Sequence, residues 1–126
     1  MDKLIILVGR IFMGAIFLKV GIDKIFGFSG TAQFMSMKGM PLPEIFLVAA
    51  IVLEIIGGIS LILGYKVKWS ALALFIYLIP TTLIFHHQLG DQIQNLMFFK
   101  NLAIMGGLLF LVKLGAGDLS LDEKLS

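Results

Sequence analysis

A chain of 126 residues suits a single domain, here residues 1–126, yet 59% of its letters are hydrophobic and only 14% are charged, against roughly 45–50% and ~25% in soluble proteins. A mean hydropathy of +1.02 leaves too few polar side chains to cover a water-facing globule, so the expected solvent is the lipid bilayer. The absence of cysteine excludes disulfides, thiolate metal sites and any thiol cycle of the chain's own, and a net charge of +2 from scattered lysines offers no basic block for nucleic acid.

Four stretches approach the ~20 apolar residues that a spanning helix needs: Leu4–Phe26, Glu44–Gly64, Trp69–Phe85 and Gln94–Leu114. None alternates with period two, and backbone groups in hydrocarbon must be satisfied within their own segment, so the expected fold is an all-α bundle. Leu4–Leu18 is read as part of the first span rather than a signal peptide, because Arg10 interrupts it, it continues to Phe26 and no A-x-A-like cleavage site follows. The first connection, Gly27–Pro43, opens with hydroxyl capping candidates, carries Phe34, Met35 and Met37, and stops at Gly39 before two prolines, which predicts a short interfacial helix. The other gaps are short, giving up-down-up-down topology. Pro80 is expected to kink the third span, with Thr81 and Thr82 beside it. Lys3, Lys66, Lys68, Lys113 and Lys124 fall on the side of the termini and only Lys24 and Lys38 on the other, which places both termini in the cytoplasm.

A charge in hydrocarbon costs about 2.5–3.5 kcal/mol, so each one needs a partner, a route to the interface or a function. By helix rise, Glu54 lies about 15 Å below the outer interface, Lys100 about 9–12 Å below it, and Arg10 about 9 Å from the inner one. Arg10, Gly14, Phe17, Gly21 and Lys24 share one helix face; Ala50, Glu54, Gly58 and Leu61 share a second; Lys100, Ile104, Gly107 and Leu111 share a third. Depth and phase together predict one acid, Glu54, between two bases, Arg10 and Lys100. Lys24 is placed at the interface, and Lys19 is read as an anchor paired with Asp23. The pairs Gly57-Gly58 and Gly106-Gly107 predict close packing in the inner halves of spans two and four.

His86-His87 at the outer edge offers too few converging ligands for a metal, and Met35, Met37 and Met40 read as apolar filler rather than copper ligands, so no intrinsic metal is expected.

The residues that complete this reading carry a resemblance. Gly9-Arg10, Ile16-Phe17-Leu18 with Gly21 and Lys24, Phe28-Ser29-Gly30-Thr31-Ala32, Lys38-Gly39-Met40-Pro41, Glu54-x-x-Gly57-Gly58, Phe85-His86 and Phe99-Lys100-Asn101-Leu102-Ala103 with Gly106-Gly107 run in order along nearly the whole chain. In these the chain resembles the DoxX family of small four-span bacterial membrane proteins. The resemblance implies an inner-membrane protein grouped with components of membrane oxidoreductase systems, among them a quinone-linked thiosulfate oxidase subunit, and with proteins of detoxification or redox stress. Its polar positions map onto Arg10, Lys24, Glu54, His86, Lys100 and Asn101. Lys19 and Asp23 depart from the family pattern.

The expected function is therefore an accessory or electron-transfer component that binds a quinone-like or lipid-like molecule within the bundle. The expected pocket opens toward the outer leaflet, lined by Glu54, His86, Lys100 and Asn101, with Phe17 and Phe99 as apolar walls. The partners expected are the lipid bilayer, a membrane or soluble oxidoreductase and further copies of the chain. The alternative is a non-enzymatic scaffold or chaperone-type protein whose Glu-Lys-Arg network is purely structural.

Overall fold

The computed structural model describes residues 2–85 and 90–125. Among these residues six helices follow in order: α1 (Asp2–Phe26), α2 (Phe28–Met37), α3 (Pro43–Leu63), α4 (Val67–Phe85), α5 (Gln92–Leu114) and α6 (Leu121–Leu125). The fold is all-α, and α1, α3, α4 and α5 are long and apolar enough to cross a membrane. They alternate in direction, so the two termini share one end of the bundle, called here the terminal end, and α2 lies at the opposite, distal end.

Local chemistry explains the boundaries. Gly27 breaks the first helix for one residue only: its N–H still bonds Asp23 O at 2.9 Å, and its carbonyl already accepts from Thr31 N at 2.9 Å, so α2 leaves α1 as a bend. Gly39, at φ +85, closes α2, and Pro43 at the first turn of α3 gives up an N–H that had no helical partner. Gly64, at φ +77, ends α3, with its own N–H and that of Tyr65 converging on Ser60 O. Asp91 caps α5 through Ile93 N at 3.0 Å.

Side-chain size then decides which helices meet. α1 and α3 approach most closely because glycine faces glycine: a Cβ on Gly14 would stand 2.5 Å from Gly58 O, and one on Gly58 would stand 2.7 Å from Gly14 O. α3 also packs on α4 and α2, α4 packs on α5, and α1 touches α5 sparsely. The main core joins Phe17, Leu61, Leu74, Leu78, Leu108 and Leu111; a smaller cluster of Ala32, Met35 and Leu47 holds α2 against α3. The expected parallel between the two glycine pairs is not seen. Gly57 and Gly58 are buried against Leu74 and α1, and Gly107 meets the Met13 methyl, but nothing lies within 4 Å of the place a Gly106 Cβ would take.

The segment after α5 is an addition that hydropathy does not signal. It folds back across the terminal end, where Asp122 N bonds Gly64 O at 2.8 Å and the Asp122 carboxylate accepts from Lys66 N and Val67 N. One aspartate thereby caps the start of α4 and ties the tail to the end of α3.

Candidate functional site

The exterior is apolar, and a few polar groups lie within the otherwise apolar interior. Phe12, Phe26, Trp69 and Phe110 are exposed, while Arg10, Glu54, Thr82 and Asn101 are buried. Such a surface matches hydrocarbon rather than water, and the buried polar groups form three separate clusters.

The first is centred on Glu54, whose side chain is 5% exposed. Lys24 Nζ donates to its two carboxylate oxygens at 2.9 and 2.8 Å, and the Tyr77 hydroxyl donates to Oε2 at 3.2 Å. Lys24 also reaches the Tyr77 hydroxyl at 3.3 Å, closing a triangle among α1, α3 and α4. The acid and base leave the site with no net charge.

The expected partners of Glu54 are thus corrected: neither Arg10 nor Lys100 meets it. Helical side chains lean toward the N-terminus of their own helix. In antiparallel α1 and α3 this tilts Lys24 toward Glu54 and Glu54 toward Lys24, whereas Arg10, on the same face as Lys24, leans away. Depth and phase alone omit this lean. Tyr77 was missed altogether; the available signal was a phenol inside an apolar span, which needs a hydrogen-bond partner when buried.

Arg10 forms the second cluster. It is fully buried, and its guanidinium donates to Leu61 O at 3.2 Å, to Ile62 O at 3.4 Å and to Leu119 O in the tail. The first two are last-turn carbonyls of α3 without helical partners, so a cation there also meets the negative end of the helix dipole. The third cluster is the 3.0 Å bond from the Asn101 amide to the Thr82 hydroxyl, which ties α5 to α4. Thr81 instead bonds back to Tyr77 O at 2.8 Å, a local compensation beside Pro80 in a continuous α4.

Lys100 is exposed on α5, and Phe99, 56% exposed, faces outward rather than walling a pocket. Phe17 is core, packed with Leu61 and Leu74. His86, like His87, lies outside the described residues. Lys19 pairs with Asp23 at 2.8 Å on the exposed side of α1, as its spacing predicts.

A cleft of about 380 Å³ opens directly over the first cluster, between α2, α3 and α4. Its walls are Phe34, Met35, Met40, Phe46, Leu47, Ala50, Pro80 and Ile84, and its polar groups are Lys24, Tyr77, Thr31 and Thr81. The expected pocket is therefore displaced: no described member of its lining borders this cleft, and Glu54 stands behind the floor. Its size falls in the range of small-molecule sites, with apolar walls and a few converging polar atoms.

Against known proteins, residues 5–87 match the DoxX family model. The chain is 36% identical over 121 residues to inner membrane protein YqjF of Escherichia coli, covering 96% of this chain and 92% of that protein. It is 34% identical over 125 residues to inner membrane protein YphA of the same organism, covering 95% and 89%. A shorter likeness, 37% over 79 residues, links it to the ER-derived vesicles protein ERV29 of Saccharomyces cerevisiae, covering 59% of this chain and 26% of that one. No solved structure matches. With four apolar spans, a lipid-facing exterior and a family match over more than half its length, the chain is an integral multi-pass membrane protein and belongs to the DoxX family.

Proposed function

We propose that this protein binds an amphipathic, quinone-like or lipid-like molecule in the distal cleft and serves a membrane oxidoreductase system as an accessory or electron-transfer component. The observation that carries the binding step is the position of the Lys24–Glu54–Tyr77 triangle beneath an apolar cleft. A buried ion pair with no other role would be served as well by packed hydrocarbon. Here Lys24 and Tyr77 both line open volume, so a hydrogen-bonding headgroup can rest beside them while an apolar tail follows Phe34, Phe46 and Ile84. The cancelled charge favours a neutral head over an ionic one. The oxidoreductase setting rests on the family resemblance. The lysine distribution supports cytoplasmic termini and an outer-leaflet cleft.

The test is purification in native membrane patches, followed by mass spectrometry of bound quinones and lipids. One neutral amphiphile per chain is expected, with loss from Tyr77→Phe and from Ala50→Leu, which fills the cleft. A stoichiometric protein partner with no small molecule would favour the scaffold reading.

A further inference from the structure

Lys100 is unused by the site above and has no hydrogen-bond or ion-pair partner among the described residues, although it lies within a spanning helix. Eight residues separate it from Gln92, so its Cα is about 12 Å below the distal end of α5. A charge exposed to hydrocarbon at that depth is costly, so an anion or the interface must receive it.

The surroundings identify which. Lys100, Ala103 and Gly107 lie within about 60° on one side of α5. At Gly107 this side meets α1, for the Met13 methyl occupies the space a Cβ would need. One turn and two turns toward the distal end, Ala103 and Lys100 are exposed. The seam between α1 and α5 is therefore closed at Gly107 and open at Lys100. Its α5 wall is apolar, with the exposed Leu96 and Phe99 beside the lysine, a surface suited to an acyl chain. Side chains of α5 lean toward its N-terminus, which is the distal end, and a lysine stem reaches about 6 Å, which lifts the amine to about the height of Asn95 and Leu96, roughly 6 Å short of Gln92 and the distal end. The acids of this chain toward the distal ends of α1 and α5 are engaged: Asp23 by Lys19 at 2.8 Å, and Asp91 as the cap of α5.

We propose that Lys100 anchors a lipid in the α1–α5 seam, taking the phosphate of an anionic phospholipid from the distal leaflet. This site is separate from the cleft, which opens between α2, α3 and α4 and which Lys100 does not line.

The experiment places wild-type protein, Lys100→Met, Lys100→Gln and Lys100→Arg in nanodiscs of equal phosphatidylglycerol and phosphatidylcholine, and counts retained lipids by native mass spectrometry. Wild type and Lys100→Arg should retain phosphatidylglycerol over phosphatidylcholine, and both neutral variants should lose about fivefold of that preference, the size of one basic residue's attraction near an anionic surface. Millimolar inorganic phosphate should leave retention unchanged. Unaltered lipid preference in the neutral variants would overturn the proposal. So would displacement by inorganic phosphate, which would assign the site to a free anion, or zero-length carbodiimide cross-linking of Lys100 to an acid of another polypeptide. Quinone content of the same samples reads the cleft independently, so the two ideas fail separately.

Discussion

Removing the base of the Glu54 triangle should harm the protein more than neutralising its acid. In Lys24→Met, Glu54 stays buried with only the 3.2 Å Tyr77 bond, having lost donors at 2.8 and 2.9 Å. An uncompensated buried charge of this kind costs about 3–5 kcal/mol. In Glu54→Gln the amide oxygen still accepts from Lys24, and the lysine side chain, 22% exposed against 5% for the acid, can turn toward the cleft. That change should cost only about 1–2 kcal/mol, the loss of a charge-assisted bond. At roughly 3–5 °C per kcal/mol for a chain of this size, Lys24→Met should melt about 10–20 °C below wild type in detergent and Glu54→Gln about 3–10 °C below. The double variant Lys24→Met/Glu54→Gln should recover part of the larger loss, because no unpaired charge remains. Thermal unfolding followed by size-exclusion chromatography reads all three. Equal losses in the two single variants, or a double variant no better than Lys24→Met, would refute the reasoning by showing that Glu54 is solvated independently of Lys24.

Gly58→Ala should separate α1 from α3, because the new methyl meets backbone at 2.7 and 2.9 Å, and should cost about 1–3 kcal/mol. Gly106→Ala, with nothing within 4 Å, should be neutral or gain up to about 1 kcal/mol; their melting temperatures compare the two directly. Arg10→Leu should strand the Leu61 and Ile62 carbonyls and release Leu119, so limited proteolysis should cut the 115–125 tail faster while the spans stay protected. Asp122→Ala should remove the cap of α4 at about 0.5–2 kcal/mol and produce the same tail cleavage, whereas Asp118→Ala, whose only ion pair among the described residues is an exposed one with Lys3 at 3.9 Å, should change neither.

Hydropathy and chain-breaking residues alone placed the chain in a bilayer and gave the number of spans, their boundaries to within two residues and the helix after the first span. Those signals are local: hydropathy sums along one segment, and Gly27, Gly39, Pro43 and Gly64 end helices through their own backbone preferences. Two of the three charges assigned to inward faces, Arg10 and Glu54, are buried, and the third, Lys100, is not. Tertiary structure decided which inward groups meet. Arg10 and Lys24 share one stripe of α1, and only the antiparallel register and the lean of side chains send one to the end of α3 and the other to Glu54. The stripe Lys100, Ile104, Gly107 and Leu111 was likewise readable, but Leu111 is buried and Lys100 exposed, because how far α1 follows α5 depends on contacts between distant segments. The tail shows the same limit: Asp122 and Leu119 carry no hydropathy signal, and their place follows from carbonyls and N–H groups left unpaired where other helices happen to end.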